Sequence, residues 1–126
     1  MEYTKIDELI GKNIVDVYVS ESKDELILTD DNQIKYKFFH MQECCESVFI
    51  EEIFGDLNDF IGTIVDAEEC SSNTLEDQIS PPDSYESNTW TFYRFSIAGK
   101  GTVVVRWLGT SNGYYSESVH FDVINP

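Results

Sequence analysis

Alternation of apolar and polar residues dominates this chain and predicts strands. Ile14-Val15-Asp16-Val17-Tyr18-Val19 is rich in β-branched residues, as is the shorter Leu26-Ile27-Leu28. Ile34 to His40 sets Ile34, Tyr36, Phe38 and His40 against Lys35, Lys37 and Phe39. Asp30-Asp31-Asn32 between these two runs is a hairpin turn. Further on, Ile64 to Glu69, Thr89 to Ala98, Thr102 to Leu108 and Tyr115 to Ile124 read as strands, with turns at Gly99-Lys100-Gly101 and Gly109 to Gly113. Val48-Phe49-Ile50 fits either a strand or the start of a helix. In the last strand Tyr115, Glu117, Val119, Phe121 and Val123 share the inward face, and His120 falls on the outer one.

Helical signals are few. Thr4-Lys5-Ile6-Asp7 resembles a capping box, Ile6, Leu9 and Ile10 make one apolar face, and Gly11 is a natural stop. Gly55 to Gly62 is a second short helix bounded by glycines. Residues 71–88 are polar, contain Pro81-Pro82 and form a loop. The expected fold is mainly β: an antiparallel meander or partly closed barrel with one or two short helices, in one domain over residues 1–126.

Composition sharpens this. With 41% hydrophobic and 13% aromatic residues, the 126-residue chain can bury a core, unlike a disordered acidic tail. The first ten residues lack an apolar signal core and no run approaches a membrane span, so a cytosolic protein is expected. Three cysteines, two of them adjacent, do not make a secreted disulfide framework.

The net charge is −16, and between Lys37 and Arg94 there are thirteen acidic residues and no lysine or arginine. Such a surface repels nucleic acid and attracts basic grooves. Solubility alone accounts for acidity in many small proteins. The functional alternative is mimicry of phosphates, with carboxylates occupying a channel lined by Lys and Arg. Glu43, Glu46, Glu51, Glu52, Asp56 and Asp59 lie close together in sequence and are the expected contacts for a basic partner.

His40, Cys44 and Cys45 suggest zinc, because imidazole and thiolate are its favoured ligands. Residues four apart on a strand are about 13 Å apart, so a turn across Met41-Gln42-Glu43 is needed. Cys70, Glu46 and Glu117 are the candidates for completing the set. The alternative is two cysteines packed as small hydrophobes beside a histidine satisfied by a carbonyl. Glu117, inward-facing, needs a partner, and Arg94 and Arg106 are the only arginines. Metal ligation or catalysis by Glu117 is the other possibility.

No phosphate loop, GxGxxG, HExxH or GxSxG motif is present, and eight basic residues do not favour nucleic-acid binding. One rival reading is a small zinc enzyme with His40 and a cysteine holding the metal and Glu117 as general base. Another is a ligand-binding module with an aromatic pocket around Trp90, Trp107 and Tyr115.

The blocks His40-Met-Gln-Glu-Cys-Cys-Glu-Ser47 and Asn112-Gly-Tyr-Tyr-Ser-Glu-Ser-Val119, with Gly55-Asp-Leu57, Ala67-Glu-Glu69 and Thr89-Trp-Thr-Phe-Tyr93, resemble a family of small phage and prophage proteins. The likeness covers nearly the whole chain. Membership names no activity, but the chain is similar to the anti-CRISPR inhibitors of Streptococcus phages that block type II RNA-guided nucleases. That resemblance implies a non-enzymatic inhibitor whose target DNA no longer loads, with any zinc structural and held by His40, Cys44 and Cys45. Cys70 lies outside the family's pattern.

Overall fold

A computed structural model describes residues 6–42, 46–72, 87–111 and 118–125. Eight antiparallel strands are present among them: β1 (Asn13–Val19), β2 (Glu25–Asp30), β3 (Lys35–Phe39), β4 (Ser47–Phe54), β5 (Gly62–Ser72), β6 (Ser87–Ile97), β7 (Gly101–Ser111) and β8 (His120–Ile124). Their order in the sheet is β4-β7-β6-β5-β1-β2-β3-β8, and the sheet is not closed. The fold is mainly β, as the alternation implies.

The topology departs from a simple meander at both ends. β8 does not follow β7 across the sheet. It pairs with β3, placing Phe121 opposite Phe38 and Val123 opposite Tyr36. β4 pairs with β7 instead of β3. The apolar inner faces of the two halves explain this arrangement, since each half buries its face only against the other. The core joins Leu26, Leu28, Tyr36 and Phe38 of one half to Ile64, Tyr93, Phe95, Val103, Val105 and Trp107 of the other. Val119, Phe121 and Val123 pack at its margin, on the face that alternation assigns them.

The halves are joined through β1 and β5 at two residue pairs alone, Asn13 with Thr63 and Ile14 with Gly62. The register shifts on both sides of this joint, between Ile14 and Asp16 and between Ile64 and Asp66. Each shift leaves one extra residue, Val15 or Val65, outside the ladder and half exposed. Such bulges bend a strand and increase its twist, which lets one half fold over the other. A second tie lies opposite the joint, where the Ile50 N–H donates to the Lys23 carbonyl at 2.6 Å and connects β4 to the β1–β2 turn.

Both expected helices are shorter than the sequence implies. Ile6–Leu9 and Leu57–Phe60 are single 3-10 turns. Thr4, the expected first cap, lies outside the described residues. At the second turn Asp56 accepts the Asn58 N–H and Asp59 accepts the Asp56 N–H, a capping box on a four-residue turn. Phe60 from that turn is fully buried and meets Phe95 edge-on at 5.4 Å.

The β2–β3 turn is built from one side chain. Asp30 Oδ1 accepts the N–H groups of Asn32 and Ile34, and Oδ2 accepts the Tyr36 hydroxyl at 2.9 Å. Burial and the Asp30 carboxylate push the Tyr36 hydroxyl pKa well above its ordinary value, so the phenol stays protonated and donates. The strands bordering the expected loop run further than the alternation indicates: Ser71 and Ser72 belong to β5, Ser87 and Asn88 to β6. Residues 73–86 lie outside the described residues.

Gly62 is the strained point of the joint. Its φ is +138°, and a Cβ there would sit 2.9 Å from Ile97 Cγ2 in a packed core. Gly62→Ala is expected to cost more than about 1 kcal/mol. Gly99→Ala, at another positive φ but with nothing within 4 Å, is the control for backbone strain alone. Chemical denaturation of the two variants measures the difference, and equal losses would show that the contact at Gly62 is relieved freely.

Candidate functional site

Two polar arrangements stand out against this apolar scaffold. The first lies where the β3–β4 connection passes β8. His40 follows β3 directly, and its side chain is 3% exposed. Nδ1 is 2.7 Å from the Ser118 carbonyl oxygen, and Nε2 is 2.8 Å from Glu46 Oε2. A carbonyl only accepts, so Nδ1 carries a proton. The Nε2–Oε2 contact then needs a second proton between nitrogen and carboxyl. The pair is therefore either imidazolium with carboxylate or imidazole with carboxylic acid. Gln42 adds a hydrogen bond at 2.6 Å to the Glu46 carbonyl.

His120 lies beside this pair, its ring centroid 5.6 Å from that of His40 and 5.8 Å from that of Phe39. Its Nδ1 accepts the Met41 N–H at 3.3 Å, which only a ring unprotonated at that nitrogen can do. The two histidines thus bind the β3–β4 connection to β8 by opposite roles, one donating and one accepting. Nothing in the spacing of His40 and His120 signals this, because it depends on β8 pairing with β3.

The second arrangement is a cavity of about 380 Å³ lined by Ile6, Glu69, Tyr93, Ser118, Val119, His120 and Phe121. Glu69 is opposite Tyr93 in the β5–β6 ladder, and opposed residues share a face. Glu69 therefore points to the inner side of the sheet, beyond the part that the core covers. The Tyr93 hydroxyl donates to its Oε2 at 3.2 Å. Burial, and then the Glu69 charge, push the Tyr93 pKa well above its ordinary value, so the hydroxyl remains a donor.

Of the residues expected to hold zinc, His40 and the candidates Glu46 and Cys70 lie among those described; Cys44, Cys45 and Glu117 fall outside them. His40 Nδ1 is on a backbone carbonyl, the orientation typical of a histidine that ligates through Nε2. Nε2 itself is hydrogen-bonded to Glu46, so a metal at that atom must displace the carboxylate or recruit it as a ligand. Among the described residues, no group of three or more His, Cys, Asp or Glu could hold a metal ion. Cys70 is a free, exposed thiol on the outer face of β5, on the side opposite Glu69.

The expected contact carboxylates separate into different environments. Glu46 is a correction: it is fully buried against His40 rather than displayed to a partner. Its burial follows from the strand parity of Val48 and Ile50, which point inward on the same side. Glu51 is paired with Arg106 Nε at 2.7 Å. Glu52 and Asp56 are exposed and Asp59 is half-buried, while Glu43 lies outside the described residues.

The arginines are also placed differently from a pair with Glu117. Arg94 pairs with Glu68 across the β5–β6 ladder. Arg106 pairs with Glu51 and lies over the rings of Phe54 and Trp90, at 5.1 and 5.2 Å. The expected aromatic pocket is corrected as well. Trp90 is opposite Leu108 in the ladder, while the neighbouring Trp107 is fully buried in the inner core, so the two indoles lie on opposite faces of the sheet. Tyr115 lies outside the described residues.

The chain matches a family model described as a domain of unknown function, DUF7448, over residues 7–121. It belongs to that family. No curated protein and no solved structure matches the chain. The matched span takes in the His40–Glu46 pair and all of the cavity lining except Ile6.

Removing one partner from a buried ionic or proton-sharing pair strands the other. Glu46→Ala is therefore expected to destabilise the DUF7448 domain by about 3–5 kcal/mol. The double change His40→Leu with Glu46→Leu should cost less than either single leucine substitution, because neither member of the buried pair is left without the other. Urea denaturation of the three variants tests this, and strictly additive losses would refute the coupling.

Proposed function

We propose that this DUF7448 protein is a non-catalytic inhibitor. It docks by its acidic surface onto a basic nucleic-acid-handling protein in the host cytoplasm, and so keeps target DNA from loading. The observation that carries the proposal is a net charge of −16 on a folded β scaffold, with exposed carboxylates such as Glu52 and Asp56 presented from the edge strand β4 and the turn after it. Fixed carboxylates lose little entropy when they meet a partner, which favours docking over a flexible acidic tail of equal charge. The similarity to anti-CRISPR inhibitors supports a type II RNA-guided nuclease as the target class.

The ion pairs refine which charges count. Glu51 and Glu68 are each neutralised by an arginine across the ladder, whereas Glu52 and Asp56 have no arginine opposite except Arg106, which Glu51 already engages. Glu52 and Asp56 therefore supply the available negative charge on that edge. Zinc enters the same proposal as a structural ion on His40, Cys44 and Cys45, with Glu117 as the fourth ligand, where it would anchor the β3–β4 connection. It would require the His40 ring to release Glu46.

Two measurements test this reading. A pull-down from cells containing a type II nuclease, coupled to a DNA-cleavage assay, should show capture and inhibition, with binding that weakens as salt rises. Glu52→Lys with Asp56→Lys should weaken that binding at least about tenfold without altering the fold, given the coupling of close charge pairs at interfaces. Unchanged binding would exclude this edge. For zinc, elemental analysis of protein purified without a metal-affinity step should give one ion per chain, and substoichiometric metal would eliminate the site.

A further inference from the structure

The cavity beside β8 combines features that the acidic surface elsewhere lacks. Ile6, Val119 and Phe121 give it an apolar wall. Glu69 supplies a carboxylate on the inner side of β5, held in orientation by the buried Tyr93 hydroxyl. Among the described residues, no lysine or arginine lines it. The His120 ring lies beside Phe39 and accepts the Met41 N–H at Nδ1. The volume, about 380 Å³, falls within the range of small-ligand pockets, roughly 300–1,000 Å³.

An apolar wall with one carboxylate at its end is complementary to a long apolar stem ending in a cation. Lysine and arginine both have that form. Arginine fits better, for two reasons. A carboxylate offers about four acceptor positions and Tyr93 uses one, which leaves room for a two-bond guanidinium contact. Phe121 also provides aromatic surface, on which a planar guanidinium packs more favourably than a compact ammonium. We infer that this cavity is the seat for one arginine side chain of the bound protein, gripped by Glu69 and Tyr93. The inference rests on the reading of the chain as a docking protein for a basic partner, and it assigns that docking a specific anchor in addition to diffuse charge.

The cavity can be tested on the isolated protein, without any partner. The probe is N-acetyl-arginine amide, followed by amide NMR shifts, with N-acetyl-citrulline amide as the neutral molecule of the same shape. Arginine should shift Glu69, Tyr93, Val119 and Phe121 with a Kd on the order of 1–10 mM, and citrulline should not. Glu69→Gln keeps an acceptor for the Tyr93 hydroxyl, so the fold should persist while arginine binding falls at least about tenfold, the loss appropriate to a charge-assisted hydrogen bond. Val119→Phe, which fills the cavity by a different route, should abolish the shifts.

Shifts equal for arginine and citrulline, shifts spread over other carboxylates, or full binding by Glu69→Gln would each overturn the seat. These results are independent of the charge-reversal experiment at Glu52 and Asp56. If that experiment weakens partner binding and the cavity takes no arginine, the docking reading stands and the anchor falls. If the cavity takes arginine but no basic protein is captured, the docking reading falls and the guanidinium site remains.

Discussion

Phe38 is the residue on which the two halves of this sheet depend. The ladder connects them over only two residue pairs, so backbone hydrogen bonds alone cannot fix the angle between them. Phe38 fixes it from the inside. Its ring meets Tyr93 at 4.9 Å and Phe95 at 5.9 Å on the facing half, and Phe121 at 4.7 Å on its own. Full burial of such a ring is worth roughly 1.5–3 kcal/mol from area alone, and edge-to-face pairs add about 0.5–1.5 kcal/mol each. The same ring touches Tyr93, whose hydroxyl orients Glu69, and Phe121, which forms part of the cavity wall. Core packing and the geometry of the cavity are therefore set by one cluster.

The margin of that cluster is closed by polar bonds rather than apolar ones. β8 is only five residues long and lies at the edge of the sheet, where exposed ladder groups invite fraying or foreign pairing. His40 reaches the Ser118 carbonyl and His120 receives the Met41 N–H, so the chain after β3 is stitched to the residues that enter β8. The buried Glu46 carboxyl completes this stitch and anchors the start of β4. A pair that shares a proton in a site 3% or less exposed has few alternative geometries, because any shift leaves a polar atom unsatisfied. The cost of desolvating the pair is the reason it specifies the crossing better than it stabilises it.

Local alternation made the strands legible in the sequence. Ile34 to His40 and Thr102 to Leu108 alternate by two, and their parity predicts which side chains enter the core. What stayed illegible was everything that depends on which strand lies beside which. The arginines illustrate this: no local signal tells Arg94 that Glu68 lies across the ladder, or Arg106 that Glu51 does. Glu46 stands in a run of acids; the parity of Val48 and Ile50 turns it inward, but the partner that satisfies it, His40, follows only from the return of the chain past β8. The two indoles were grouped by residue type although Trp90 and Trp107, at positions of opposite parity, belong to opposite faces. That parity was available in the sequence. It is present as well for Glu69, which follows Ala67 by two on β5 and so shares its inner face. The two short helices are where the sequence places them, but each is a single four-residue 3-10 turn.

The distribution of charge distinguishes an interaction surface from a solubility device better than its total does. A solubility device needs charge only on the outside, evenly spread, and gains nothing from a carboxylate on the inner face of a strand. Glu69 is on that face, and it is held by a tyrosine that burial keeps protonated. Glu51 and Glu68, on the outer face, are by contrast neutralised within the sheet by the only two arginines of the chain. The molecule thus compensates Glu51 and Glu68 on the outer face of its four-stranded half, while Glu52 stays exposed there and Glu69 has no lysine or arginine among the described residues that line the cavity. Solubility does not require a carboxylate placed beside an apolar wall, whereas recognition of a cation with an apolar stem does.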